Sequence, residues 1–156
     1  MTPDLPLVPL SRRHFIAAGS GALATACLGS LGACATVPIR RVTPVNGRIE
    51  LPLLQHPELA TTGGALRVQV PGAEAPIDVL VIGNGQYAAL SPICTHLGCT
   101  VEVQGAYLVC PCHGSTYERT GKVVRGPAER ALKRYPATLT SSQVIVIEFE
   151  GASGDA

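Results

Sequence analysis

CTHLGC at residues 94–99 and CPCHGS at 110–115 concentrate the soft-ligand chemistry of this chain. The protein has 6 cysteines and 4 histidines, and these two stretches hold Cys94, Cys99, Cys110, Cys112, His96 and His113. Cys94 and His96 are separated by one residue, Cys110 and His113 by two. Each stretch therefore offers one closely spaced cysteine–histidine pair, and each has one cysteine left over, Cys99 and Cys112. A glycine near the end of each marks it as a loop, the usual place for a site that a rigid frame presents.

The frame around these loops reads as strands. With 17 Gly and 13 Pro in 156 residues, the chain favours many turns and short strands over long helices. Aromatic residues are only 4% and tryptophan is absent, so the core has to be built from Val, Ile, Leu and Ala. LRVQV (66–70) and VEVQ (101–104) alternate apolar and polar residues, the period of a half-buried strand. IDVLVIG (77–83) and QYAALS (86–91) flank Gly83-Asn84-Gly85, a hairpin signal. QVIVIEF (143–149) reads as a closing buried strand, and PAERALKRY (127–135) as able to hold one helical turn. His56, in QHPEL, reads as a surface loop residue. The expected class is all-β and mainly antiparallel.

The N-terminus is set apart by composition. SRRHF at 11–15 resembles a twin-arginine export signal, and Phe15–Ile39 contains no charged residue. LGAC at 31–34 resembles a lipoprotein processing site, which makes Cys34 the expected lipidation residue. The alternative is that Phe15–Ile39 stays uncleaved as a spanning helix, for which its length suffices although its glycines weaken it. The expected organisation is a signal or anchor at 1–34, a linker at 35–47 marked by Pro38, Pro44, Asn46 and Gly47, and a globular domain at 48–151. Export would place the domain on the periplasmic side of the cytoplasmic membrane, where disulfides persist. A net charge of +1 leaves no electrostatic footprint for nucleic acid. There is no nucleotide-binding fingerprint and no candidate triad, so the two loops carry the chemistry.

Three accounts of those loops compete. Two structural disulfides would leave both histidines as bystanders at ligand spacing. A Cys2His2 zinc site usually needs two or more residues between paired ligands, and Cys94-Thr95-His96 has one. A [2Fe-2S] cluster with thiolates on one iron and imidazoles on the other uses one cysteine and one histidine from each loop. Neutral imidazoles make such a cluster less negative, which raises its potential to about −150 to +300 mV, against about −400 mV for all-cysteine plant-type clusters.

The spaced pair of motifs resembles the signature of the Rieske iron–sulfur proteins, in the disulfide-containing branch of cytochrome bc-type quinol oxidoreductases. The resemblance runs from about residue 88 to 128 and continues through STYERTGKVVRGPA (115–128). It implies a small antiparallel sandwich or barrel-like domain with a cluster-binding subdomain at about 92–128. It also implies Cys94 and Cys110 on an inner iron, His96 and His113 on an exposed outer one, and a Cys99–Cys112 disulfide joining the loops. A disulfide closing a loop of that size contributes on the order of 3 kcal/mol. Ser115 and Tyr117 match the hydroxyls that hydrogen-bond cluster sulfur in the family, and Leu97 the residue that shields the cluster. Gly126-Pro127 resembles the loop that covers its third side. The family's bc-type members continue GPAP, whereas here Glu129 follows Ala128.

The implied function is one-electron transfer outside the cytoplasmic membrane, as the iron–sulfur subunit of a quinol-oxidising complex. The alternative is a free-standing or oxidase-associated periplasmic carrier, similar to the small subunit of arsenite oxidase. The expected partners are cytochromes b or c or an oxidase catalytic subunit, and quinol, with the membrane reached through lipid or helix.

Overall fold

A computed structural model describes residues 36–149. The twin-arginine stretch and the lipidation candidate Cys34 lie outside the described residues. Twelve short strands and one 3-10 turn (Pro57–Ala60) make up the described chain. The strands are β1 (Ile39–Arg41), β2 (Arg48–Pro52), β3 (Ala65–Gln69), β4 (Ile77–Gly83), β5 (Gln86–Leu90) and β6 (Glu102–Gln104). After them come β7 (Tyr107–Val109), β8 (Thr116–Glu118), β9 (Val123–Arg125), β10 (Arg134–Tyr135), β11 (Ala137–Leu139) and β12 (Val144–Glu148). They form a five-stranded sheet in the order β1-β3-β4-β5-β10, a three-stranded sheet β11-β12-β2, and a four-stranded sheet β6-β7-β8-β9. The fold is all-β, as the sequence predicts.

The five-stranded sheet is covered on both faces, and its sequence shows why. Along β4 and β5 the side chains alternate between two cores. Ile77, Val79, Val81, Tyr87 and Ala89 pack with Ile49, Leu51, Ile145 and Ile147 of the small sheet. Leu80, Ala88 and Leu90 pack instead with Val101, Leu108, Cys110 and Tyr117 of the cluster-loop region. A strand buried on both sides reads as a continuous apolar run, which is what IDVLVIG and QYAAL are. The Gly83–Gly85 turn is a hairpin, with Gly83 paired to Gln86.

Two arginines fasten the sheet to the unit that carries the motifs. Arg67 on β3 is registered opposite Asp78 on β4, and its guanidinium donates to both carboxylate oxygens at 2.6 and 2.8 Å. The same group reaches the Val101 carbonyl at 3.1 Å, just beyond the first loop. Asp78 is 1% exposed, so this carboxylate depends on its bidentate partner. Arg119, directly after β8, has no carboxylate partner among the described residues. It donates to the carbonyls of Val81, Gly105, Gly63 and Gly64, and burial pulls its guanidinium down from its ordinary value.

Three expectations are corrected. Within the 35–47 linker, residues 39–41 form an edge strand paired in parallel with β3. Asn46-Gly47, with φ of 52° and 71°, is a two-residue turn closed by two hydrogen bonds between Val45 and Arg48. Residues 127–135 hold no helical turn, because their backbone groups are used elsewhere. The Ala128 N–H donates to Ser115 Oγ, the Leu132 N–H to the Gly121 carbonyl, and the Lys133 carbonyl accepts from Ser91. His56 is not a surface residue but 8% exposed, with Nδ1 3.6 Å from Glu58 Oε1.

The Asp78 pair yields a stability prediction. Asp78→Ala leaves Arg67 without its main acceptor and should lower stability by roughly 3 kcal/mol, read as the midpoint of guanidinium unfolding. Arg67→Met combined with Asp78→Leu should recover much of that loss. A single variant as stable as the parent would show that the pair contributes nothing.

Candidate metal centre

Both loops are built by one local rule. In the first, the Cys94 N–H donates to the Cys99 carbonyl at 2.8 Å and the Gly98 N–H to the Cys94 carbonyl at 2.9 Å. In the second, Cys110 donates to Ser115 at 2.8 Å and Gly114 to Cys110 at 3.0 Å. The pattern repeats position for position, and the fifth residue of each loop is a glycine with φ of +78° or +74°. Open space surrounds both glycines, so backbone conformation and not crowding requires them. The first loop is closed off at its base by an isolated pairing of Ile93 with Thr100, and the second connects the paired strands β7 and β8.

The closed loops sort their side chains by depth. Cys94 and Cys110 are free thiols, 3% and 1% exposed, inside the core shared with Leu108 and Tyr117. His96 and His113 lie further out, and their rings meet edge to face with centroids 4.9 Å apart. Cys99 and Cys112 are disulfide-bonded across the loops, with Cα atoms 6.5 Å apart. The sulfurs of Cys99, Cys110 and Cys112 lie within 4.8 Å of one another, but two of them are spent in the disulfide, so this trio is not a ligand set. Leu97 is 68% exposed and so is not a core leucine; it stands at the outer end of the first loop.

Tyr117 is the pivot beneath the loops. It is fully buried, and its hydroxyl lies 3.3 Å from Cys94 Sγ. It accepts the Thr95 N–H at 3.3 Å. Thr95 Oγ1, which donates to the Arg130 carbonyl at 2.6 Å, also lies 3.2 Å from the tyrosine hydroxyl; of these two acceptors for the single tyrosine proton, the sulfur is the stronger when it is a thiolate. Burial pushes the Cys94 thiol up. Hydrogen bonds from Tyr117, the His96 backbone, Cys110 and Ser115 outweigh it, and the thiol is held below its ordinary value. Burial, then the bond to Cys94, pushes the tyrosine up. Ser115, also fully buried, accepts the Ala128 N–H at 3.0 Å, so its own proton is free to face sulfur. The peptide bond before Pro127 in that covering segment is cis.

Sequence reasoning did not single out Thr95, Arg67, Asp78 or Arg119. Only Asp78 left a signal: a lone acid inside an apolar run needs a buried partner.

This fold and this pair of loops define an iron–sulfur electron-transfer domain. The Rieske [2Fe-2S] domain model matches residues 50–136, more than half of the chain, and the chain belongs to that family. It is 32% identical over 159 residues to the cytochrome b6-f complex iron-sulfur subunit of Synechococcus sp. (strain JA-3-3Ab), covering 92% of this chain and 90% of that protein. It is 41% identical over 97 residues to the same subunit of Synechococcus sp. (strain JA-2-3B'a(2-13)), where the match spans 60% of this chain and just 56% of the relative. Among solved structures, the cyanobacterial plasma membrane Rieske protein PetC3 from Synechocystis PCC 6803 is 39% identical, covering 54% of this chain and 85% of that one with a TM-score of 0.48. Family membership implies a [2Fe-2S] cluster, and the residues present fit one. Two buried thiols, one of them biased toward thiolate, and two imidazoles stand on the same pair of loops, and among the described residues His96 Nδ1 is buried without a hydrogen-bond partner.

The hydrogen bonds to sulfur yield a second prediction. A donor aimed at sulfur stabilises the more negative, reduced state, so Tyr117→Phe and Ser115→Ala should each lower the reduction potential. About 1.4 kcal/mol of differential stabilisation corresponds to roughly 59 mV for one electron, so shifts of tens of millivolts are expected in protein-film voltammetry. An unchanged or higher potential in either variant removes that residue from the tuning role. Cys99→Ser should still assemble a cluster but lose its visible absorption faster on mild heating than the parent; equal lifetimes would make the disulfide dispensable.

Proposed function

We propose that this protein is the iron–sulfur subunit of a quinol-oxidising respiratory complex, anchored on the periplasmic side of the cytoplasmic membrane. A [2Fe-2S] cluster, when bound, supplies one-electron uptake and release. The roles of the chain's own residues follow from depth. Cys94 and Cys110 serve as the buried ligands, and His96 and His113 as the outer ones. Ser115 and Tyr117 donate to sulfur, the Cys99–Cys112 disulfide ties the loops, and Leu97 screens the tip. The observation that carries the reading is the outward placement of both imidazoles beside an exposed leucine: a hydrogen-bonding, apolar tip that a quinol headgroup could meet. The full-length similarity to a b6-f iron-sulfur subunit supports the same assignment.

A second reading, an oxidase-associated periplasmic carrier, is favoured by one feature. Glu129 places an exposed charge directly beside the covering segment, where the bc-type pattern has proline. Co-purification separates the two: a quinol-oxidising complex brings a b-type cytochrome with it and a carrier does not.

Membrane attachment is proposed through lipid on Cys34, after export by the twin-arginine route. Among the described residues, no helix is long and apolar enough to cross a membrane. Two or more acyl chains hold a protein at a surface far better than one.

The assignment makes two checks. Protein from iron-replete cells should contain two irons and two acid-labile sulfides, and alanine at Cys94, His96, Cys110 or His113 should abolish the reduced-state EPR signal; stoichiometric zinc without sulfide would overturn it. Cys34→Ala should release the protein from membranes and abolish palmitate labelling. A variant that stays membrane-bound, beside an unlabelled parent, would instead favour the helix anchor.

A further inference from the structure

One flank of the metal centre has a charge that the proposed function does not use. From the end of β8 to the start of β10 the chain exposes Lys122, Arg125, Arg130, Lys133 and Arg134 against the two acids Glu118 and Glu129. The whole chain carries only +1, so acids elsewhere offset this positive band. The ion pairs among the described residues are Arg48–Glu148, His56–Glu58 and Arg67–Asp78, and none involves the band. The stretch 128–133, which carries Arg130 and Lys133, is also held against the site. The Arg130 carbonyl accepts from Thr95 at 2.6 Å, the Lys133 carbonyl from Ser91 at 2.9 Å, and the Ala128 N–H donates to Ser115.

Lys133 of this band and the β3–β4 loop help to line a cavity of about 700 Å³ that reaches Cys94 and Thr95. Ala73, Ile93 and Phe149 give it apolar walls, and Lys133 and Glu74 line it with one charge of each sign. Lys133 Nζ sits 5.3 Å from the centre of the Tyr135 ring, which also lines the cavity. An apolar hollow with a charged rim is the anatomy of a protein docking site.

We propose that this flank docks an acidic redox protein. An apolar knob on the partner fills the cavity beside Cys94, while carboxylates around the knob meet Arg130, Lys133 and the rest of the band. The proposal rests on the cluster reading above and adds a second approach to the centre, distinct from the histidine tip. A planar bilayer could meet the same charges, but the apolar hollow next to a buried sulfur ligand serves an electron-transfer partner and not a lipid headgroup. Steering of this kind raises association rates and is lost with salt.

The test uses the full-length protein in neutral detergent, with its cluster confirmed by EPR. An acidic and a basic c-type cytochrome are each titrated calorimetrically at low and high salt, and stopped-flow oxidation is followed in parallel. Affinity for the acidic cytochrome should fall tenfold or more as salt rises, and by a similar factor in Arg130→Glu/Lys133→Glu. Glu74→Lys should tighten it. Arg40→Glu should change it little, because β1 is at the opposite edge of the five-stranded sheet from β10. The basic cytochrome should bind more weakly than the acidic one throughout. Salt-insensitive binding, or a double variant no different from the parent, overturns the docking face while an intact EPR signal preserves the cluster reading. An absent EPR signal in the parent overturns both. A double variant that loses only its association with phosphatidylglycerol vesicles, keeping its cytochrome affinity, assigns the band to the membrane and overturns the proposal.

Discussion

Two loops with few apolar side chains of their own have to be held still, and each is closed by the same pair of backbone hydrogen bonds. Everything else at the site depends on that closure. It requires a left-handed residue at the same position of each loop, which Gly98 and Gly114 supply. It turns the first cysteine of each loop inward and sends the histidines outward. The disulfide then joins two units that are already shaped, so it adds a covalent tie between them and does not have to form either one.

Closed loops still need a floor, and the fold provides one by burying its central sheet twice. One face of β4 and β5 packs against the small sheet, the other against the cluster-loop core. Arg67 and Arg119 bridge the second junction with directional bonds, where apolar packing alone would allow sliding. Through Tyr117, which is buried in that core and touches Cys94, the rigidity of the floor reaches the sulfur. A preorganised donor costs no rearrangement when charge arrives, which is the physical basis of the tuning role proposed for Tyr117.

The two loops were legible in the sequence because their chemistry is local: ligand types, spacing and glycine all fall within six residues of one another. β4 and its hairpin were legible for the same reason, in a continuous apolar run ending at Gly83-Asn84-Gly85. What was not legible depends on distant partners. Arg119 looks like any surface arginine until Gly63, Gly64 and Val81 bring their carbonyls to it. PAERALKRY has helical composition, but Ser115, Gly121 and Ser91 claim its backbone groups first. The segment read as a linker supplies an edge strand because β3 had a free side to pair. His56 is buried by tertiary packing, and nothing in its immediate sequence predicts that.

The proposed metal centre is a single cluster shared by both loops, with thiolates inside and imidazoles outside. Pulsed EPR on reduced protein labelled with ¹⁵N-histidine tests it most directly. Strong couplings from two inequivalent histidine nitrogens are expected, with the pattern lost when either His96 or His113 is replaced. A reduced cluster with no histidine nitrogen coupling would contradict it.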